Sequence, residues 1–447
     1  MLQTFFYPRG VALVGSTSPG KIGYELLRQM LAGGYEHISA VNPRAQGMGP
    51  VPGYRSLAEV PPPVDLAVIV SPPPTVASVL ADCGQAGVPS AIIITAGFSE
   101  AGNQAGEEEL KRVAAQYGVR FAGPNCAGMV NTAHRLFPTL ETRPPAGNVA
   151  IVAQSGAVGG VLLAWAKQYG LGISKFISYG NGADLNEIDF LDYLADDPET
   201  AVIGLYIEAA SGGREFMAAV RRCTTRKPVV VIKAGRTRSG QRATLSHTGS
   251  LAGADAVYDA ALRQCGALRV HTIEEMFDLC KGFAHLGRLA GRKIAIVTNS
   301  GGPGVLAADR AEEVGLDVAE PSAPLKERLA AFLPPYCGLK NPVDLTVEGT
   351  EEGYRRTLLA VLEECDAALA LNVATPYLDS VALARGVCDA AEQSGRPLVA
   401  AFLPEKIVAA AVDYLQERGV PNFATGERAV TALARMADWR PAEEPAT

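Results

Sequence analysis

The chain has 447 residues, 48% of them hydrophobic and 19% charged, with a formal net charge of −7. A single core stops growing well short of this length, so two to four domains are expected, and the acidic balance argues against a nucleic-acid partner. No apolar run approaches the roughly 20 residues that span a bilayer, and the opening Met1-Leu2-Gln3-Thr4-Phe5-Phe6-Tyr7-Pro8-Arg9 lacks the basic stretch and apolar core of a signal peptide. A cytoplasmic location is expected. The eight cysteines, at 83, 126, 223, 265, 280, 337, 365 and 388, include no C-x-x-C pair; they read as reduced thiols, and no metal site is expected.

In chain order, short Val/Ile-rich runs alternate with amphipathic Ala/Leu/Glu-rich segments, the pattern of repeated βαβ units with parallel sheets. A first block has predicted strands at 11–14, 38–41, 66–70, 91–95 and 119–121, and closes at Thr142-Arg143-Pro144-Pro145. A second has strands at 148–152, 202–207 and 229–233 and ends near Gly287 to Gly291. A third has strands at 293–297, 367–372 and 398–402 and ends before the polar Pro441 to Thr447 tail. Each block is about 140–160 residues, a normal size for one doubly wound domain.

Every block opens with a strand, a Gly/Ser turn and a helix: Gly15-Ser16-Thr17-Ser18-Pro19-Gly20-Lys21, Gln154-Ser155-Gly156-Ala157-Val158-Gly159-Gly160 and Asn299-Ser300-Gly301-Gly302-Pro303-Gly304. Unpaired N–H groups and the positive dipole end favour an anion at such a helix start. One such turn is as easily a tight connection; three in register point to ligands at the carboxyl ends of the strands. The first turn fits G-x-x-x-x-G-K, but Ile22 stands where a P-loop needs Ser or Thr for magnesium. It also fails G-x-G-x-x-G, and the second strand ends in Ala40-Val41-Asn42-Pro43, without the acidic residue a dinucleotide ribose needs. An NAD-dependent oxidoreductase is therefore disfavoured, and another phosphate-bearing, adenosine-like ligand is expected.

Beyond the 229–233 run lies Ser246-His247-Thr248-Gly249-Ser250. A lone histidine is usually a surface residue. Set among small residues in a predicted loop, a neutral imidazole can instead accept a phosphoryl group and carry it between two sites.

Together, Val11-Ala12-Leu13-Val14-Gly15-Ser16, Gly123-Pro124-Asn125-Cys126-Ala127-Gly128, Ala153-Gln154-Ser155-Gly156, Ile207-Glu208 and Ser246-His247-Thr248-Gly249-Ser250 carry a family resemblance over nearly the whole chain. The chain resembles the α subunit of the NDP-forming acyl-CoA synthetases, the superfamily of succinyl-CoA synthetase and the ADP-forming acetyl-CoA synthetases. The resemblance implies an α/β fold: a CoA-binding Rossmann-like domain (1–143), then two flavodoxin-like doubly wound parallel-sheet domains, the phosphohistidine-bearing one (146–287) and a third ligase domain (291–440). Asn341-Pro342-Val343-Asp344 fits the third domain's pattern, against a bland reading as turn and helix cap.

Carried over by position, Gly15, Ser16, Lys21 and Gly23 would meet the CoA phosphates, with Pro43 and Arg44 near the nucleotide end. Ser71, Pro72, Pro73, Thr95, Ala96 and Gly97 would line the pantetheine channel. Asn125 and Cys126 would lie near the thioester; with no activating base beside it, Cys126 reads as a buried thiol and not a nucleophile. His247 would carry the phosphoryl group and Glu208 would bind its other ring nitrogen, selecting the tautomer. Ser155, Gly156, Gly301 and Gly302 would hold the phosphate at two helix starts.

The implied reaction interconverts acyl-CoA, phosphate and ADP with free acid, CoA and ATP through acyl phosphate and phosphohistidine. No segment remains for an ATP-grasp domain, so ATP or ADP with Mg2+ is expected on a separate β subunit, in an α2β2-like assembly. A small carboxylic acid such as acetate is the default substrate; the sequence leaves the acyl group and the choice of ADP or GDP open. A CoA-binding regulatory module of the same fold, without catalysis, is the alternative.

Overall fold

The uninterrupted apolar runs form strands buried on both faces, as parallel sheets require. In this computed structural model, residues 2–248, 254–346 and 349–443 are described, without the side chains of 245–248. The chain divides into two units, Met1–Met276 with Pro441–Thr447, and Phe277–Arg440.

The first unit holds two six-stranded sheets. Strands β1 (Val11–Val14), β2 (Ile38–Val41), β3 (Gly53–Tyr54), β4 (Leu66–Ile69), β5 (Ser90–Ile93) and β6 (Arg120–Ala122) pair in parallel in the order β3-β2-β1-β4-β5-β6. Alternation along the strands divides the core. Val11, Leu13, Leu66 and Val68 pack with Leu26, Leu27 and Met30 of the helix Ile22–Gly33; Ala12, Ala67 and Ile69 pack with Val76, Leu80 and Cys83 of the helix Pro73–Gln85. The strand order reverses between β1 and β4, which opens a crevice at their carboxyl ends.

The second sheet takes β7 (Met129–Asn131), β8 (Ala146–Ala153), β9 (Ile173–Ser178), β10 (Val202–Ile207), β11 (Val229–Lys233) and β12 (Leu268–Val270) in the order β12-β11-β10-β8-β9-β7. Strands β8 to β12 are parallel in a flavodoxin-like order, and β7 runs antiparallel to β9. The sequence pattern did not announce β7, β9 or β12. In the second unit, β13 (Ile294–Thr298), β14 (Val343–Asp344), β15 (Ala367–Val373) and β16 (Leu398–Leu403) pair in parallel in the order β14-β13-β15-β16.

One expectation differs. Ser246, His247 and Thr248, read as loop, end the helix Arg238–Thr248; no glycine or proline interrupts the run from Gln241 to Thr248. The His247 side chain and residues Gly249 and Ser250 lie outside the described residues. No described helix is long and apolar enough to cross a membrane.

The two sheets of the first unit meet through the chain leaving β9. Asn181 N donates to Pro124 O at 3.0 Å, Ala183 N to Gly123 O at 3.1 Å and Leu185 N to Phe121 O at 3.1 Å. Asp184 accepts from Phe121 N at 2.7 Å and pairs with Arg120 at 2.9 Å. Residues 183–185 thereby cover the open edge of β6, whose backbone groups would otherwise be unpaired. Gly180 makes this approach possible: its φ is +56°, and a Cβ there would lie 2.3 Å from the carbonyl oxygens of both Pro124 and Asn125. Gly180→Ala is expected to cost about 3 kcal/mol, from left-handed strain plus overpacking. Urea unfolding measures this; an unchanged midpoint would mean that the two loops are not in tight contact.

Candidate functional site

At the carboxyl ends of β1, β2 and β4 lies a cleft of about 600 Å³. Of the expected residues, Gly15, Ser16, Lys21, Pro43, Arg44, Ser71 and Pro72 line it; so do Asn42, Gln46, Arg55, Ser56, Thr75 and Asp82, which the sequence reading had not singled out. Lys21 is the N-cap residue of the helix Ile22–Gly33, and no side chain caps that helix. Gly23 does not line the cleft. A Cβ on it would lie 2.4 Å from Ser16 O, so its bare Cα lets the first helical turn close onto the Gly15–Ser16 loop. The Asn42 side chain shapes the opposite wall: Nδ2 donates to Gln46 O at 2.8 Å, while Oδ1 accepts from Arg44 N at 3.2 Å and Gln46 N at 3.0 Å. Among the described residues, Lys21, Arg44 and Arg55 are exposed and take part in no ion pair, and Asp82 is the single carboxylate lining the cleft. Such a surface attracts a polyanion. Within it, the buried Ser71 hydroxyl has no hydrogen-bond partner among the described residues.

The remaining expected residues continue from this cleft. Thr95 Oγ1 donates to Ser71 O at 2.8 Å, Asn125 N donates to Thr95 O at 3.0 Å, and Gly97 packs on Pro73; Ala96 between them is exposed. Glu100 Oε1 accepts from Gly97 N at 2.6 Å and Phe98 N at 3.2 Å. Burial pushes the Glu100 carboxyl up, but the Asn181 amide and the backbone N–H groups outweigh it and hold the group below its ordinary range. Cys126 is buried, its thiol pushed up to about 12 by burial, and it donates to Ile93 O at 3.3 Å.

A second centre lies at the carboxyl ends of β8 and β10. Glu208 is buried, and its loop is held by side chains: Gln154 Oε1 accepts from Glu208 N at 2.8 Å and Ala209 N at 3.3 Å, Tyr258 Oη from Ala210 N at 3.0 Å, and Glu187 Oε1 from Ser211 N at 2.6 Å. Tyr206 Oη donates to Glu208 Oε1 at 3.5 Å, and burial with the Glu208 charge pushes that phenol up, so it stays a donor. Lys233 sits 4.5 Å from the Tyr258 ring centroid, its pKa lowered by burial. Gln154 directly precedes Ser155, the N-cap of the helix Gly156–Gln168, whose Oγ accepts from Val158 N at 3.4 Å. This region can hold a carboxylate, and an anion at the helix start, in fixed geometry.

In the second unit, Gly301 and Gly302 open the helix Gly301–Glu313, whose N-cap Ser300 makes no side-chain cap bond. Buried Asn299 anchors that turn, donating to Asn372 Oδ1 at 3.0 Å and Val373 O at 2.9 Å and accepting from Val373 N at 2.8 Å.

Family models match the chain in three segments: a CoA binding domain over residues 9–132, a succinyl-CoA ligase like flavodoxin domain over 146–283 and a ligase-CoA domain over 294–444. The α subunit of ADP-forming acetate–CoA ligase II from Pyrococcus furiosus is 39% identical over 97% of this chain and 96% of its own length. The chain belongs to the NDP-forming acyl-CoA synthetases. Another member, ADP-forming acetate–CoA ligase I from Archaeoglobus fulgidus, is also 39% identical, and the match covers 63% of its length. Among solved structures, the Ca. Korarchaeum cryptofilum dinucleotide forming acetyl-coenzyme A synthetase 1, in complex with phosphate and ADP, superposes with a TM-score of 0.91 at 37% identity, covering 98% of this chain and 96% of that one. This chain therefore has the three parallel-sheet α/β domains of the family.

Because the Glu100 carboxyl is held below its ordinary range, its bonds contribute stability above the usual glutamate pKa of about 4.3, and that contribution is lost as pH falls through the lowered value. Glu100→Gln is expected to cost about 1 kcal/mol at neutral pH. Thermal unfolding of both proteins should show the gap closing below about pH 4; a gap independent of pH would rule out the charge as its source.

Proposed function

We propose that this chain is the α subunit of an ADP-forming acyl-CoA synthetase that interconverts acyl-CoA, phosphate and ADP with a small carboxylic acid, CoA and ATP. What carries the reading is the end-to-end match to separate α subunits together with the cation-lined cleft at the β1/β4 switch point. In the direction of ATP formation, phosphate oxygen attacks the thioester carbonyl, the C–S bond breaks, and CoA leaves as a thiolate that takes up a proton. A nitrogen of His247 then displaces the carboxylate from phosphorus, and the phosphohistidine passes its phosphoryl group to ADP. Lys21 and Arg44 hold CoA phosphates, and Ser71, Thr95, Gly97 and Asn125 flank its arm. Glu208 holds the non-reacting ring nitrogen of His247. The helix start at Ser155 and Gly156 offers N–H groups to a phosphate, and so, in the second unit, does the one at Gly301 and Gly302.

ADP and Mg2+ are handled by a separate ATP-grasp β subunit, in an α2β2 assembly. The Archaeoglobus relative supports this division, because about a third of its length lies outside the match. Acetate is the first substrate to try, since acetate–CoA ligases are among the relatives matched over nearly all of this chain.

With the β subunit, labelled ATP and magnesium, the chain is expected to gain acid-labile, base-stable phosphate that His247→Ala abolishes. Glu208→Gln should slow labelling by about 100-fold or more, as misorienting a catalytic imidazole does elsewhere. Persistent labelling in His247→Ala would move the phosphoryl carrier elsewhere. No labelling of the wild type, with CoA still bound, would leave a CoA-binding module.

A further inference from the structure

We propose that Asn181 is a positioning residue for the thiol end of the CoA site, its single side chain tying the Gly97 turn to the Asn125 amide. The inference rests on reading the cleft as a CoA site. No motif in the sequence pointed to Asn181: it lies on the loop after β9, in the second sheet's part of the unit, whereas the cleft belongs to the first sheet.

Asn181 Nδ2 lies 2.6 Å from Glu100 Oε2, 2.8 Å from Glu107 Oε2 and 3.1 Å from Ser99 Oγ. Two amide protons facing three acceptors leave one orientation of the side chain, because Nδ2 must face both carboxylates. The Asn181 oxygen must then face the other way, where it accepts from Asn125 Nδ2 at 3.2 Å. This in turn fixes the Asn125 amide. Its nitrogen is taken up by Asn181, and its Oδ1 has no partner among the described residues, so the acceptor is left for a ligand. Asn125 itself is held at φ +58°.

The same side chain also reaches the Gly97 turn through Glu100. That carboxylate spends Oε2 on Asn181 and Oε1 on Gly97 N and Phe98 N. Asn103 Nδ2 closes the turn from the far side, donating to Gly97 O at 3.1 Å. Gly97 packs on Pro73, next to the cleft-lining Pro72. A continuous set of hydrogen bonds therefore runs from Gly97 through Glu100 and Asn181 to Asn125, and Asn125 is joined to the cleft-lining Ser71 through Thr95. Asparagine suits the position because it donates and accepts at once. Aspartate would set a third carboxylate against Glu100 and Glu107.

Calorimetric titration of the full chain with CoA, and separately with adenosine 3′,5′-bisphosphate, tests this, since the second ligand carries the nucleotide end and no thiol arm. Asn181→Ala is expected to weaken CoA binding about tenfold and to leave the bisphosphate within about twofold. Asn181→Asp should weaken CoA more than Asn181→Ala. Retained bisphosphate binding shows that the variants are folded. Loss of both ligands in parallel, or CoA affinity equal to wild type, overturns the inference. A wild-type chain that binds neither ligand overturns the CoA reading, and this inference with it.

Discussion

The bare Cα of Gly180 against the carbonyls of Pro124 and Asn125 is the contact on which the first unit's arrangement depends. Each doubly wound sheet gathers its loops at its carboxyl edge, and two such edges can share residues only if backbone approaches backbone. A side chain at 180 would hold the loops apart and disturb the hydrogen bonds from Asn181, Ala183 and Leu185 to Pro124, Gly123 and Phe121. The chain reinforces the junction elsewhere. After leaving the first sheet it supplies β7 to the second, antiparallel to β9, and Asn131 of that strand donates to Phe6 O at 2.9 Å near the N-terminus.

Charge placement separates what holds the fold from what awaits a ligand. Lys175 is fully buried in β9 and is matched by Asp197 at 2.8 Å and Glu199 at 2.7 Å, as a cation out of water must be. Removing one partner would strand the others, so this group belongs to the architecture. Lys21, Arg44 and Arg55 are the opposite case: exposed, unpaired among the described residues and gathered on one cleft. The Glu208 loop is intermediate. Its backbone is fixed by Gln154, Tyr258 and Glu187, so the carboxylate is held in place before any partner arrives. Such pre-organisation lowers the reorganisation needed during reaction.

Much of this was legible in the chain. Val11–Val14, Leu66–Ile69 and Val229–Lys233 are uninterrupted apolar runs, and their strands follow from burial on both faces. The strand–turn–helix openings were legible too, and residues of the first line the cleft at the β1/β4 switch point. Strand β9 stayed hidden because Lys175 and two serines break its apolar pattern, and β7 and β12 because three residues carry no period. Arg55 and Asp82 reach the cleft from segments remote from its Gly/Ser turn. Asn181 and Glu187 were invisible for a related reason: an amide or a carboxylate acquires a role from what surrounds it, and here the surroundings come from positions tens of residues away.

The three helix openings differ in a way that matches different tasks. Gly15 to Lys21 ends in a cation and faces two further arginines across the cleft, whereas Gln154 to Gly160 and Asn299 to Gly304 contain no lysine or arginine at all. A helix start alone offers dipole and N–H groups, worth about 0.3–1 kcal/mol per charge at an exposed end; a guanidinium or ammonium adds a full charge and ties the anion down. In the proposed reaction CoA would stay bound through several steps, and a cation-lined cleft suits that. A phosphoryl group in transit must be stabilised and then released, and a site that gripped it with full charges would trap the intermediate and raise the barrier to the next transfer. In the proposed reaction, the absence of basic residues from the second and third turns is what keeps the phosphate mobile.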